Sequence, residues 1–203
     1  MSLAQEVEPV VPGVFLWQVY DGTVKADLFS TGLETAAGTY LLDPIPLATG
    51  ALEGLGRRKK VAGIFVTNAN HVRASGEFAK VFGVPIFTHA QLAGGGDFPN
   101  STAVKEGGAL AQGLTWIAIE GGPDGEMAVH DDNNGGTLVL GDALINFEPH
   151  GFGLLPPKYC QDPKRMRRSL RKLLEYSFER MLFAHGTPIL SGARVRLEHL
   201  LNY

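Results

Sequence analysis

Val61-Ala62-Gly63-Ile64-Phe65-Val66-Thr67 is a continuous apolar run that opens into a polar loop. A strand with one wet face alternates apolar and polar residues, so an unbroken run predicts a strand buried on both faces. Downstream, Val72, Phe78, Ala79 and Phe82 recur at roughly helical spacing between His71 and Phe82. Gly83 is a natural stop for that helix, and Val84-Pro85-Ile86-Phe87 reads as a short strand. The middle of the chain is therefore expected to be a strand–helix–strand unit.

Around this unit the pattern is strand-rich. Val14 to Tyr20, closed by the turn pair Asp21-Gly22, and the runs Lys25 to Thr31 and Gly38 to Leu42 read as an antiparallel meander. Pro44 and Pro46 end it, because proline cannot donate to a ladder. A short helix is expected over Gly50 to Arg58. The glycine-rich segment Gly94 to Gly113 predicts loops with one or two weak strands. Leu114 to Ile119, Glu126 to Val129 and Thr137 to Leu140 read as three further strands. Asp162 as N-cap and Pro163 at the first helical position open an amphipathic helix to Tyr176, striped by Met166, Leu170, Leu173 and Leu174. Arg180 to Ala184 is one more strand and Ala193 to Leu201 a last helix. This order suits two packed sheets with helices outside, an α/β (α+β) architecture.

Composition narrows the function classes. A chain of 203 residues with 44% hydrophobic and 19% charged residues suits one domain over residues 1–203. A formal charge of −3 gives no global reason to expect a nucleic-acid or membrane partner. The single cysteine, Cys160, asks for no oxidising compartment, no apolar run has the length of a membrane span, and the acidic N-terminus has no secretion-signal pattern. The expected location is the cytoplasm.

Four segments, in order, resemble the metallo-β-lactamase superfamily. They are Gly38-Thr39-Tyr40-Leu41-Leu42-Asp43, Ile64-Phe65-Val66-Thr67 with its polar loop, Leu138-Val139-Leu140-Gly141-Asp142, and Phe183-Ala184-His185-Gly186-Thr187-Pro188. The resemblance runs from about Val14 to Pro188 and implies a four-layer αββα sandwich of two mixed sheets. The departure lies in the loop. Thr67-Asn68-Ala69-Asn70-His71-Val72-Arg73 stands where such proteins carry Thr-His-x-His-x-Asp-His. Without a gap, Asn68, Asn70, Val72 and Arg73 replace all four ligands. With a two-residue deletion, Asn70-His71 falls on the Asp-His pair, and Phe78, Phe82 and Gly83 keep the helix register, which favours this alignment. No histidine stands near Glu120-Gly121-Gly122-Pro123, where another is expected.

The resemblance therefore implies a reduced site. A cluster of three histidines is gone under either alignment, and a two-metal hydrolytic mechanism with it. His71, Asp142, His185 and, as a neutral oxygen, Asn70 remain as candidate ligands. They suit at most one divalent ion, zinc or iron(II), activating water. Asp142 and Arg73 are the candidate catalytic residues, Arg73 holding an anionic group of a small-molecule substrate. The rival expectation is a metal-free pseudoenzyme whose cleft binds a small ligand or a protein partner. His150 is a lesser candidate for the same cleft, and His89, His130 and His199 belong to no motif.

The run Lys158, Lys164, Arg165, Arg167, Arg168, Arg171, Lys172 is expected to be the solvated face of the helix that carries the apolar stripe, and no nucleic-acid partner follows from it.

Overall fold

In a computed structural model of the chain, residues 2–147 and 151–202 are described. One sheet has seven strands in the order β1 (Glu8–Val11), β2 (Val14–Asp21), β3 (Ala26–Thr35), β4 (Gly38–Leu42), β5 (Val61–Phe65), β6 (Ile86–His89), β7 (Ser101–Val104). β1 to β4 pair antiparallel and β4 to β7 parallel. The change of sense follows from the connections: α1 (Thr49–Gly56) joins β4 to β5 and α2 (Ser75–Phe82) joins β5 to β6, and parallel neighbours need a crossover. The second sheet has five strands, drawn from β8 (Ala109–Ala111), β9 (Leu114–Ala118), β10 (Met127–Asp131), β11 (Thr137–Leu140) and β14 (Arg180–Phe183), in the order β14-β11-β10-β9-β8. Within it only β11 and β14 pair in parallel, across a connection that holds the small hairpin β12 (Leu144–Phe147) and β13 (Gly151–Leu154) and then α3 (Pro163–Leu170). α4 (Ala193–Asn202) closes the described chain.

Three buried clusters give the layers. Trp17, Leu41 and Ile64 meet Leu55 of α1 and Phe78 of α2 on the outer face of the first sheet. Tyr40, Leu42 and Phe65 meet Trp116, Val129, Val139 and Leu182 between the sheets. Leu138, Leu140, Met181 and Phe183 meet Met166 and Leu170 of α3 and Leu197 and Leu201 of α4 on the far side. Alternate residues of β4, β5 and β11 thus feed different clusters, because successive side chains of a strand point to opposite faces. The result is helix, sheet, sheet, helix, the four-layer αββα sandwich expected from the sequence.

The elements depart from the sequence expectations in four places. The helix expected from His71 starts at Ser75. His71 ends a short 3-10 turn, Ala69–His71, and Arg73 takes φ +43°, which breaks the helical path. β1 and the β12–β13 hairpin were not anticipated. β13 is Gly151-Phe152-Gly153-Leu154, whose two glycines mask its strand character. The helix expected over Asp162 to Tyr176 is α3, capped by Asp162 Oδ1 accepting from Arg165 N at 2.9 Å, and it tightens into 3-10 geometry over Arg171–Glu175.

The parallel pairs place the ends of β4, β5, β11 and β14 together, where open sheets of this kind bind ligands. The two sheets are tied there by backbone bonds, Phe29 N to Ala184 O at 3.0 Å and Met127 N to Thr67 O at 2.8 Å. Among the described residues, no helix is long and apolar enough to cross a membrane.

Candidate metal centre

Each key side chain follows directly from a strand end. Asp43 succeeds β4, Thr67 and Asn68 follow β5, Asp142 follows β11 after Gly141, and His185 follows β14 after Ala184. His71 joins them because Asn68 caps the 3-10 turn, its Oδ1 accepting from Asn70 N at 2.9 Å. Gly141 is required by crowding. A Cβ there would lie 2.7 Å from Thr67 Oγ1, 2.8 Å from Glu126 Oε1 and 3.0 Å from Asn68 Nδ2.

His71, Asp142 and His185 converge. One ligand atom from each lies within 4.8 Å of the others, and they are the group of this kind found among the described residues. Asp142 Oδ1 is 3.2 Å from His71 Nε2 and 3.3 Å from His185 Nε2. Ligands about 2.0–2.1 Å from a tetrahedral zinc stand about 3.3 Å apart, so these separations fit one ion. The sequence-derived trio is therefore brought together by the fold.

The protonation of His71 is set by its neighbours. Its Nδ1 lies 2.9 Å from Asp43 Oδ2 and 2.9 Å from Thr67 Oγ1. Thr67 in turn donates Oγ1–H to Asp43 Oδ2 at 2.6 Å and its backbone N–H to Asp43 Oδ1 at 2.8 Å. An ionised Asp43 accepts only, so Nδ1 carries the proton and donates. Nε2 then aims into the cluster, buried and without a hydrogen bond, although Asp142 Oδ1 is near. An imidazole oriented by a carboxylate behind it and facing further donor atoms in front is what a metal ligand requires. Without an ion, a proton can take that place. Burial works to lower the His71 pKa, but Asp142 and then Asp43 raise it to about 9. Burial likewise opposes the charge of Asp142, yet His71 and then His185 hold its carboxyl well below the ordinary range. Burial and then the positive charge of His71 lower His185 to about 4, which keeps it a neutral imidazole.

The remaining sequence-derived residues are placed as follows. Asn70 is exposed on the same turn and lines the cleft. Arg73 lines it too, but its guanidinium donates from Nη1 to Phe29 O at 2.6 Å and Asp43 O at 3.0 Å, and from Nη2 to Ala184 O at 3.4 Å. It clamps strand ends of both sheets. Arg73 at φ +43° and Asp43 at φ +49° hold left-handed backbone conformations that non-glycine side chains rarely adopt, and such strain gathers at functional sites. The cleft holds about 510 Å³ and is mostly apolar, with Leu28, Pro123, Ile145 and Tyr159 on its walls, a volume suited to a small molecule. His150 lies outside the described residues.

Sequence reading missed two participants. Glu126 is 2% exposed; its Oε1 accepts from Ala143 N at 2.9 Å and its Oε2 from Asn68 Nδ2 at 2.7 Å. Burial and then the charge of Asp142 push its carboxyl above the ordinary range. The available signal was a glutamate leading straight into the apolar Met127-Ala128-Val129. Asp43 was noted only as a strand ending, although a carboxylate there had to find buried donors.

Comparison with known proteins agrees with this architecture. The model of the Metallo-beta-lactamase superfamily matches residues 9–203. The chain belongs to that superfamily. No curated protein matches it by sequence. Among solved structures it resembles a metallo-beta-lactamase from Erythrobacter litoralis, with a TM-score of 0.75 at 16% identity over 97% of this chain and 95% of that one. It also resembles a metallo-beta-lactamase family protein from Thermus thermophilus, with a TM-score of 0.70 at 23% identity over 96% and 80% of the two chains. An archaeal superfamily protein from Sulfolobus tokodaii gives a TM-score of 0.70 at 16% identity over 92% and 84%. At these identities the likeness is one of fold.

Proposed function

We propose that the chain is a hydrolase-like protein with a reduced site, in which His71, Asp142 and His185 hold a single divalent ion, zinc or iron(II). The observation that carries this reading is the convergence of the buried His71 Nε2, Asp142 Oδ1 and His185 at ligand-to-ligand spacing. Two imidazoles and one carboxylate would suit zinc or iron(II) and would leave room for a water beside them. A divalent ion bound there supplies Lewis-acid activation of water at neutral pH.

The chain's own residues have defined parts in this reading. Asp43 fixes the tautomer and direction of His71. Asp142, its carboxyl held against burial well below the ordinary range by His71 and then His185, stays ionised and supplies the charged oxygen beside the two imidazoles. Arg73, anchored on three carbonyls, contributes fixed positive charge for an anionic group of a small substrate. Asn70 stands at the cleft as a neutral oxygen donor, a poorer ligand than a carboxylate. The apolar walls bind the body of the substrate and thin the water around the reacting atoms.

Elemental analysis of the purified protein, with zinc titration of the metal-stripped chain, tests the proposal. One ion per chain, lost in Asp142→Ala, supports it. Restoring a charged oxygen by Asn70→Asp should tighten zinc binding. Two tightly bound ions, or none under saturating zinc, would overturn it. The second reading is a metal-free pseudoenzyme binding a small ligand or partner. It is favoured by one observation, that His71 lies between Asp43 and Asp142 at 2.9 and 3.2 Å, where a proton on the ring would pair with both carboxylates without an ion.

A further inference from the structure

Asn68 is fully buried and uses its whole amide at the site. Its Oδ1 caps the turn that carries His71. One Nδ2 hydrogen goes to Glu126 Oε2 at 2.7 Å and the other to Asp142 Oδ2 at 3.1 Å, which exhausts the donors of an NH2 group. Glu126 completes the frame from behind, since its Oε1 accepts from the backbone N–H of Ala143, the residue after Asp142. Asp142 is thus held twice, through its own Oδ2 and through the chain next to it. Its other oxygen, Oδ1, faces His71 and His185.

The two oxygens of a free carboxylate are equivalent, and the last torsion of aspartate is broad and nearly two-fold. Unless one oxygen is engaged, such a group can chelate an ion through both or turn away from it. We propose that Asn68 and Glu126 are positioning residues that hold Asp142 as a one-oxygen ligand, reserving Oδ2 for an amide hydrogen so that Oδ1 alone meets the ion. The proposal rests on the single-ion reading above. Two features favour it over simple capping of the turn. A cap needs only the Asn68 oxygen, whereas here the nitrogen is placed between the carboxyl groups of Glu126 and Asp142. A buried glutamate is also costly unless its oxygens are engaged, and one of its bonds goes to Ala143 beside Asp142 while the other goes to Asn68, which itself bonds Asp142. Gly141 leaves the room that brings Asn68 and Glu126 this close.

Cobalt(II) is the probe, because its visible bands are intense when four-coordinate and weaken as ligands are added. Asn68→Ser keeps a good capping oxygen for the turn but is too short to reach either carboxylate. Glu126→Gln is nearly isosteric, and with its oxygen still accepting from Ala143 its NH2 group opposes that of Asn68. The wild type should take up one cobalt with intense bands. Each variant should still bind one ion, about 10–100-fold more weakly, the usual effect of losing a group behind a ligand. Its bands should weaken as Asp142 closes on the ion through both oxygens. Wild-type affinity and spectrum in a folded Asn68→Ser, as judged by circular dichroism, would reduce Asn68 to a cap and overturn the proposal. If that variant fails to fold, wild-type behaviour of Glu126→Gln overturns it equally. No cobalt uptake by the wild type would instead bring down the single-ion reading and this inference with it, a failure distinct from an unresponsive variant.

Discussion

Asp43 Oδ2 stands 2.9 Å from His71 Nδ1, with both side chains almost wholly buried at the junction of the two sheets. Asp43→Asn keeps the shape but removes the negative charge and allows an N–H to face the ring. The tautomer that aims the Nε2 lone pair forward is then no longer enforced. Zinc affinity should fall by about one to two orders of magnitude, read by competition with a chromophoric chelator. An unaltered affinity would show that Asp43 serves the strand end alone.

The metal-stripped protein should have a bell-shaped dependence of stability on pH. His71 rises in the folded chain from its ordinary 6.5 to about 9. Its contribution is therefore fully present below about 6.5 and is lost as pH climbs through about 9. His185 falls from 6.5 to about 4, so the folded chain resists its protonation and stability is lost as pH drops from about 6.5 through about 4. Urea midpoints measured across this range check both limbs, and His71→Gln should flatten the alkaline one. A monotonic profile contradicts the paired assignment.

Gly141→Ala places a methyl group against Thr67, Glu126 and Asn68, all within 3.0 Å of the added carbon. Forced expansion of a packed site costs about 1–3 kcal/mol. Chemical denaturation should record that loss, together with weaker ion uptake, since Asn68 is displaced. A neutral substitution would mean that the neighbours yield freely.

Arg167 and Arg171, part of the basic run, donate to Leu200 O at 2.9 Å and Leu201 O at 2.5 Å near the end of α4. Their positive charge meets carbonyls left open where that helix finishes. Replacing either by alanine should destabilise the protein by about 1 kcal/mol. The same variants should leave retention on immobilised DNA or RNA unchanged. Salt-sensitive binding abolished by the pair would reverse this assignment.

The sandwich was legible because its strongest signals are local. The Val61–Thr67 run, the Asp162-Pro163 helix start and the Gly141-Asp142 strand ending each announce themselves within a few residues. The convergence of His71, Asp142 and His185 was accessible through the order of motifs along the chain. What could not be read is whatever depends on partners far away in sequence. Glu126 and Asn68 are 58 positions apart and meet only because β5 and β10 lie in facing sheets. The part Arg73 plays was hidden for the same reason. Its three carbonyls come from β3 and from the ends of β4 and β14, and a positive residue beside a ligand motif reads equally as a substrate contact. The break before α2 was missed because helical spacing does not register one left-handed residue.

His71 hangs from the first sheet, while Asp142 and His185 hang from the second, beside the backbone bonds that join Phe29 to Ala184 and Met127 to Thr67. An ion shared by these side chains would act as a rivet through a seam. Fraying of a terminus would leave it in place, whereas separating the two sheets would break its ligand set. Its binding energy would therefore surface in global unfolding, by about 2.7 kcal/mol when the free ion stands at about a hundred times its dissociation constant. The melting temperature of the protein would then gauge the supply of that ion around it.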